Sequence, residues 1–94
     1  MTVGTLILHL HFPGCASLKE KRSYLKPVLH RLHREFNLSV AELDYNDVWK
    51  DALVGCACIC NDRTLLEKEL HAIPAFVEKY FPDIDILDES YEII

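Results

Sequence analysis

Pro13-Gly14-Cys15-Ala16-Ser17-Leu18-Lys19-Glu20-Lys21-Arg22 is the stretch from which the fold can be read. A Pro-Gly pair ends an extended segment. Ser17, followed three residues later by Glu20, is a capping box, in which the side chain of each satisfies an orphan helix N–H. A strand must therefore stop near Phe12 and a helix must start near Leu18. Upstream, Val3 to His11 alternates: Leu6, Leu8, Leu10 and Phe12 share one face, and Thr5, Ile7, His9 and His11 the other. The leucine face is the expected core face. Downstream, Leu18, Leu25, Val28, Leu29, Leu32 and Phe36 recur at helical spacing and predict a helix from Leu18 to Phe36, with Asn37 as its stop. Pro27 removes one backbone bond and predicts a kink, placed opposite the apolar stripe.

Beyond Asn37 the pattern repeats with a hairpin in the middle. Leu38 to Asp44 reads as a second strand with more polar alternation, and the segment from Asp44 to Asp51 supplies a turn around Trp49. Ala52 to Cys60 is a continuous apolar run of small and β-branched residues, the pattern of a central strand buried on both sides. Asn61 or Asp62 caps a second helix whose buried side carries Leu66, Leu70, Ile73, Val77 and Tyr80, with Pro74 away from the centre of that stripe. Pro82-Asp83 ends it. Ile84, Ile86, Tyr91 and Ile93 then belong to an acidic last strand, with an interruption expected near Glu89-Ser90.

The order β-α-β-β-α-β predicts an α+β, ferredoxin-like domain spanning residues 1–94: a four-stranded antiparallel sheet with two helices on one face. The most apolar strands, the first and third, should be central, and the acidic second and fourth should be edges, where charge discourages sheet-to-sheet pairing. Ninety-four residues suffice for one core without metal or disulfide. The apolar run Leu6–Leu10 lacks the flanks of a signal peptide and is far too short to span a bilayer. A cytoplasmic, membrane-free protein with reduced cysteines is the expectation.

The net charge of −5 conceals a division. Between residues 17 and 36, Lys19, Lys21, Arg22, Lys26, Arg31 and Arg34 face only Glu20 and Glu35, whereas the rest of the chain is strongly acidic. Such asymmetry suits a polar partner for one surface.

Several of these residues also carry a resemblance. Gly4, the run Leu8-His9-Leu10-His11-Phe12-Pro13-Gly14, the string Ser17-Leu18-Lys19-Glu20-Lys21-Arg22, Phe36 to Glu42, Trp49 and Asn61-Asp62-Arg63 resemble the small bacterial YlxP-like proteins over nearly the whole chain. The resemblance implies a ferredoxin-like fold and no established enzyme activity. The genes of that family tend to lie beside translation and ribosome-maturation genes, which implies an RNA or ribosome partner. Pro27, Cys15, Cys56 and Cys60 depart from the family pattern.

The candidate sites follow from chemistry. At 100° per residue, Lys19, Arg22, Lys26, His30 and His33 form a ladder on one flank of the first helix, with Arg34 beside it, a row able to follow a phosphate backbone. Gly14 and Ser17 sit where free helix N–H groups could hold an anion. Trp49 is either a local packing anchor or a partner hot spot. Cys56, Cys58 and Cys60 share one strand face, unlike the loop-spaced cysteines of zinc sites, so small buried side chains are expected and no metal or cofactor. His9 and His11 lie on the face opposite the leucines, open unless another subunit covers it. The reading is a non-enzymatic module binding RNA or the ribosome through its first helix. The alternative is a homodimer using the open sheet face or the Trp49 hairpin; a weaker one is an acylphosphatase-like, phosphate-binding enzyme.

Overall fold

The computed structural model describes residues 1–94, in the element order β1 (Thr2–His11), α1 (Leu18–Glu35), β2 (Ser39–Asp44), β3 (Asp51–Cys60), α2 (Arg63–Tyr80) and β4 (Asp85–Ile93). The strands form one antiparallel sheet in the order β2-β3-β1-β4. This is the ferredoxin-like arrangement, with β1 and β3 central. Leu6, Leu8, Leu10 and Phe12 from β1 and its exit are buried, as are Ala52, Val54, Cys56 and Cys58 from β3. They pack in a single cluster with Leu25, Val28 and Leu32 of α1 and Leu66, Leu70, Ile73 and Val77 of α2, so both helices cover the same side.

The helix starts are built as the sequence dictates, with one difference. Ser17 Oγ accepts from the Glu20 N–H at 3.1 Å, but no bond returns from the Glu20 carboxylate, so the cap is one-sided. Asp62, rather than Asn61, caps α2 through the Thr64 and Leu65 N–H groups. Pro27 is solvent-facing within a continuous α1, but Pro74 is buried in the α2 stripe and packs as a core residue.

Two strand readings need correction. β3 is buried on one side only: Leu53 and Gly55 are half-buried, while Ala57 and Ile59 stand exposed. Its unbroken apolar run arises because Leu53, Gly55, Ala57 and Ile59 make the uncovered face apolar too. The irregularity of β4 lies at Leu87, where the pairing steps from His9–Asp88 to Leu10–Ile86, rather than at Glu89-Ser90.

Gly4 shows how closely α2 approaches. A Cβ there would lie 2.8 Å from Leu70 Cδ1 and 3.0 Å from Leu66 Cδ2, so the helix descends onto the strand where no side chain intervenes.

Candidate functional site

Seen along its axis, α1 sorts its cations into two sets. Lys19, Arg22, Lys26, His30, His33 and Arg34 are all exposed, on a flank away from the core stripe. Lys19, Arg22 and Lys26 enter no ion pair, whereas Arg34 lies 3.8 Å from Glu35 and His33 Nδ1 is bonded to the Leu38 carbonyl at 2.9 Å. Arg31 is turned inward between the helices, 3.7 Å from Glu35 and with its guanidinium 4.6 Å above the Tyr80 ring. The free row is therefore Lys19, Arg22, Lys26 and His30, rising about 16 Å along the helix at 1.5 Å per residue.

Lys21 belongs to neither set. It is 1% exposed, and its Nζ donates to the carbonyls of Tyr45 at 2.7 Å and Val48 at 2.9 Å and lies 3.0 Å from Glu42 Oε2. One ammonium thus holds the turn between β2 and β3. Tyr45 there has φ 65, a left-handed conformation that costs a non-glycine residue about 1 kcal/mol, and its carbonyl is one that the ammonium grips. The hairpin so held presents Val48 and Trp49, the latter 52% exposed. Trp49 is not sunk into the core.

The loop after β1 opens on a cleft of about 370 Å³ lined by Gly14, Cys15, Tyr24, Pro82, Asp83 and Asp85, among others. Ser17 Oγ is occupied by the Glu20 N–H. An anion brought to Gly14 would meet the Asp83 and Asp85 carboxylates. Burial, with the nearby Glu20 charge, raises the Cys15 thiol, so it is held as the neutral form.

Two of the other cysteines are equally inert. Burial pushes Cys56 up to about 12, and burial with the Glu69 charge raises Cys58, whose thiol points at the Asn37 carbonyl. Both face the helices, with Cys60 half-buried at the strand end.

On the open face, His9 Nε2 and His11 Nδ1 reach the same Asp51 Oδ1 at 2.9 Å and 3.2 Å. Burial alone would raise the Asp51 carboxyl, but the hydrogen bonds from His9 and His11 outweigh it and hold the group below its ordinary value. No group of three or more His, Cys, Asp or Glu side chains is placed to hold a metal ion. Over β1, β2 and β3 the rest of this face is mostly apolar, whereas β4 lines its edge with Asp85, Asp88 and Glu92. A groove of about 330 Å³ runs between β1 and β2, lined by Thr5, Ile7, Ala41, Leu43, Gly55 and Ala57 among others. Ile7, Leu43 and Ile59 are 36%, 52% and 57% exposed. None of the four strands contains a Lys or Arg.

Lys21 and the open-face groove were the features that pattern reading missed. For Lys21 a signal existed: Lys21, Leu25, Val28 and Leu32 are spaced i, i+4, i+7 and i+11, on one helical stripe. A lysine in that series must be buried and paired.

No helix is long and apolar enough to cross a membrane. A family model described as "Protein of unknown function (DUF503)" matches residues 3–91. The chain is 42% identical over 69 residues to "Uncharacterized protein YlxP" of Bacillus subtilis (strain 168), covering 73% of this chain and 74% of that protein. Among solved structures, "De novo designed protein Foldit4" is similar with a TM-score of 0.54 at 14% identity, over 100% of this chain and 97% of that one, a likeness of fold alone.

Proposed function

The chain belongs to the family described as "Protein of unknown function (DUF503)", and on that footing we propose that it is a cytoplasmic, non-enzymatic module that docks on RNA, free or within the ribosome, through the outer flank of α1. One observation carries this reading. Of the cations on α1, Lys21 and Arg31 are consumed by internal contacts, whereas Lys19, Arg22 and Lys26 stand exposed and unpaired in one row. Exposed cations free of carboxylate partners can neutralise phosphates and release counterions without first breaking an ion pair. The acids of the chain lie mainly elsewhere, on β4, on α2 and on the segment before β3. The non-enzymatic side is supported by thiols held protonated and by carboxylates where an anionic substrate would have to enter the β1–α1 loop.

The test is a triple reversal, Lys19→Glu, Arg22→Glu and Lys26→Glu, assayed by fluorescence anisotropy on short single-stranded RNA and by co-sedimentation with ribosomes across a salt series. None of the three side chains enters the core, so the fold survives. Wild-type binding should weaken as salt rises, with a slope of about −0.7 in log–log form for each single-strand phosphate contact, and the reversed protein should lose both affinity and slope. Arg63→Glu with Lys68→Glu and Lys79→Glu on α2 is the control for net charge. Salt-insensitive binding, or none, by the wild type would defeat the proposal.

A further inference from the structure

The side of the sheet away from the helices is unpartnered, and its residues specify what fits it. We propose that a second copy of this chain covers it, forming a two-fold dimer whose axis runs parallel to the strands, between the two sheets.

The first argument is shape. In the sheet, Ile7 of β1 is paired with Gly55 of β3, near the middle of both strands. A two-fold along the strand direction stacks β1 of one copy over β3 of the other while keeping the position along the strand. Ile7 then lies over Gly55 of the second copy, and by symmetry the reverse contact is made as well, as an isologous interface requires. The face offers a ridge and a groove to match: Ile7 projects at 36% exposure, and the 330 Å³ groove beside it is lined by Ala41, Leu43, Gly55 and Ala57. Leu43 of the same copy lies directly over Gly55, its Cδ1 2.6 Å from where a Cβ would stand, so Ile7 of the second copy packs against the Leu43 side chain above the glycine.

The second argument is charge, which also favours one orientation. Asp85, Asp88 and Glu92 of β4 pair with His11, His9 and Thr5 of the open-face set, so they belong to the same side of the sheet. The proposed axis lays this acidic edge over β2, where the register sets Ser39 opposite Glu92, Ala41 opposite Ser90 and the single carboxylate of Asp44 opposite Asp88. It also brings Lys50, in the hairpin next to Asp51, to the end of the second copy's sheet where Asp85 begins β4. A two-fold perpendicular to the strands would instead set β4 over β4, carboxylate against carboxylate, and like charges face to face are unfavourable. With no Lys or Arg in any strand, the face suits neither RNA nor an acidic partner.

The third is area. Four strands about 4.8 Å apart and on average nine residues long present roughly 550 Å² in projection, and more as accessible surface, close to the ~800 Å² per partner of a stable interface. The largely apolar part of this face, over β1, β2 and β3, is of an extent rarely left to water.

The experiment is sedimentation equilibrium at about 100 μM, well above the micromolar end of the affinity range for interfaces of this size. The wild type should weigh twice its 10.9 kDa. Ile7→Glu, and independently Ile59→Glu, should dissociate roughly a hundredfold more readily, because each buries an unpaired carboxylate at the interface, with unchanged far-ultraviolet dichroism. Leu65→Glu, an equally exposed change on α2, should remain dimeric. In a mixed sample of isotope-labelled and unlabelled chains, Ile7 methyl groups should show contacts to Gly55 and Leu43 of the other copy. A monomeric wild type overturns the proposal. So does a dimer that neither open-face variant weakens, or one whose intermolecular contacts join β4 to β4.

Discussion

A single buried ammonium decides how much of this molecule's surface is organised. Lys21 ends in three acceptors from the β2–β3 connection, two of them backbone carbonyls, and one of these belongs to the left-handed Tyr45. Replacing it with Met keeps the apolar stem but strips the charge, leaving Glu42 and two carbonyls without their donor. Such losses sum to about 3 kcal/mol. Lys21→Met should therefore lower the urea midpoint markedly, and amide exchange should quicken first at Val48, whose N–H donates to the Tyr45 carbonyl, and at Phe12, whose N–H donates to the Lys50 carbonyl. Lys19→Met, on the exposed flank, should change stability by no more than about 0.5 kcal/mol. Equal effects of the two variants would show that the hairpin holds itself. The Ser-Leu-Lys-Glu-Lys-Arg string reads as one basic cluster, yet its two lysines do opposite things. Helical angle separates them, because Lys21 lies in line with Leu25 and Val28 whereas Lys19 does not. What the sequence could not supply was the destination of the Lys21 stem, since the Glu42, Tyr45 and Val48 partners are more than twenty residues away.

At the scale of elements, alternation gave β1 its faces and spacing gave both helices their stripes, because each rests on a period that local geometry imposes. β3 resisted the same treatment. Alanine, glycine and cysteine are small enough to sit on a covered or an uncovered face, so Ala52 to Cys60 carries no period-2 contrast to read. Only the pairing to β1 settles it: Val54 and Cys56 flank Gly55 and point to the helices. Position 4 poses a related problem. Gly4 looks like a weak spot in a strand, but it is where α2 comes nearest, with Leu66 and Leu70 at van der Waals contact or closer to any added carbon. Gly4→Val should cost about 1–3 kcal/mol by overpacking, despite the better strand propensity of valine. Chemical denaturation will distinguish the two effects; a more stable Gly4→Val protein would mean that α2 can slide away from β1 freely.

For the whole molecule, the two proposed surfaces lie on opposite sides of the sheet and obey opposite physics. Burying the open face is a hydrophobic association that salt leaves intact or strengthens, whereas the α1 row binds by counterion release that salt abolishes. In the dimer the sheets stack inside and the helices lie outside, so the two Lys19–Arg22–Lys26 rows face away from each other across the full thickness of four layers. A short RNA cannot reach both. The native dimer should accordingly take up two short RNA molecules at equivalent sites, each with a log–log salt slope near −2 if three phosphates are contacted at about −0.7 apiece. The Ile7→Glu monomer should bind one such RNA with the same affinity and slope, since its change lies on the far side of the sheet from α1. Anisotropy titrations of both proteins, with stoichiometry from sedimentation velocity, measure this directly. One RNA per dimer, with weaker binding by the monomer, would mean that the rows converge on one strand and that the copies meet along their helices. Two RNAs per dimer and an unimpaired monomer would separate the roles: the sheet face for self-association, the helix flank for phosphate.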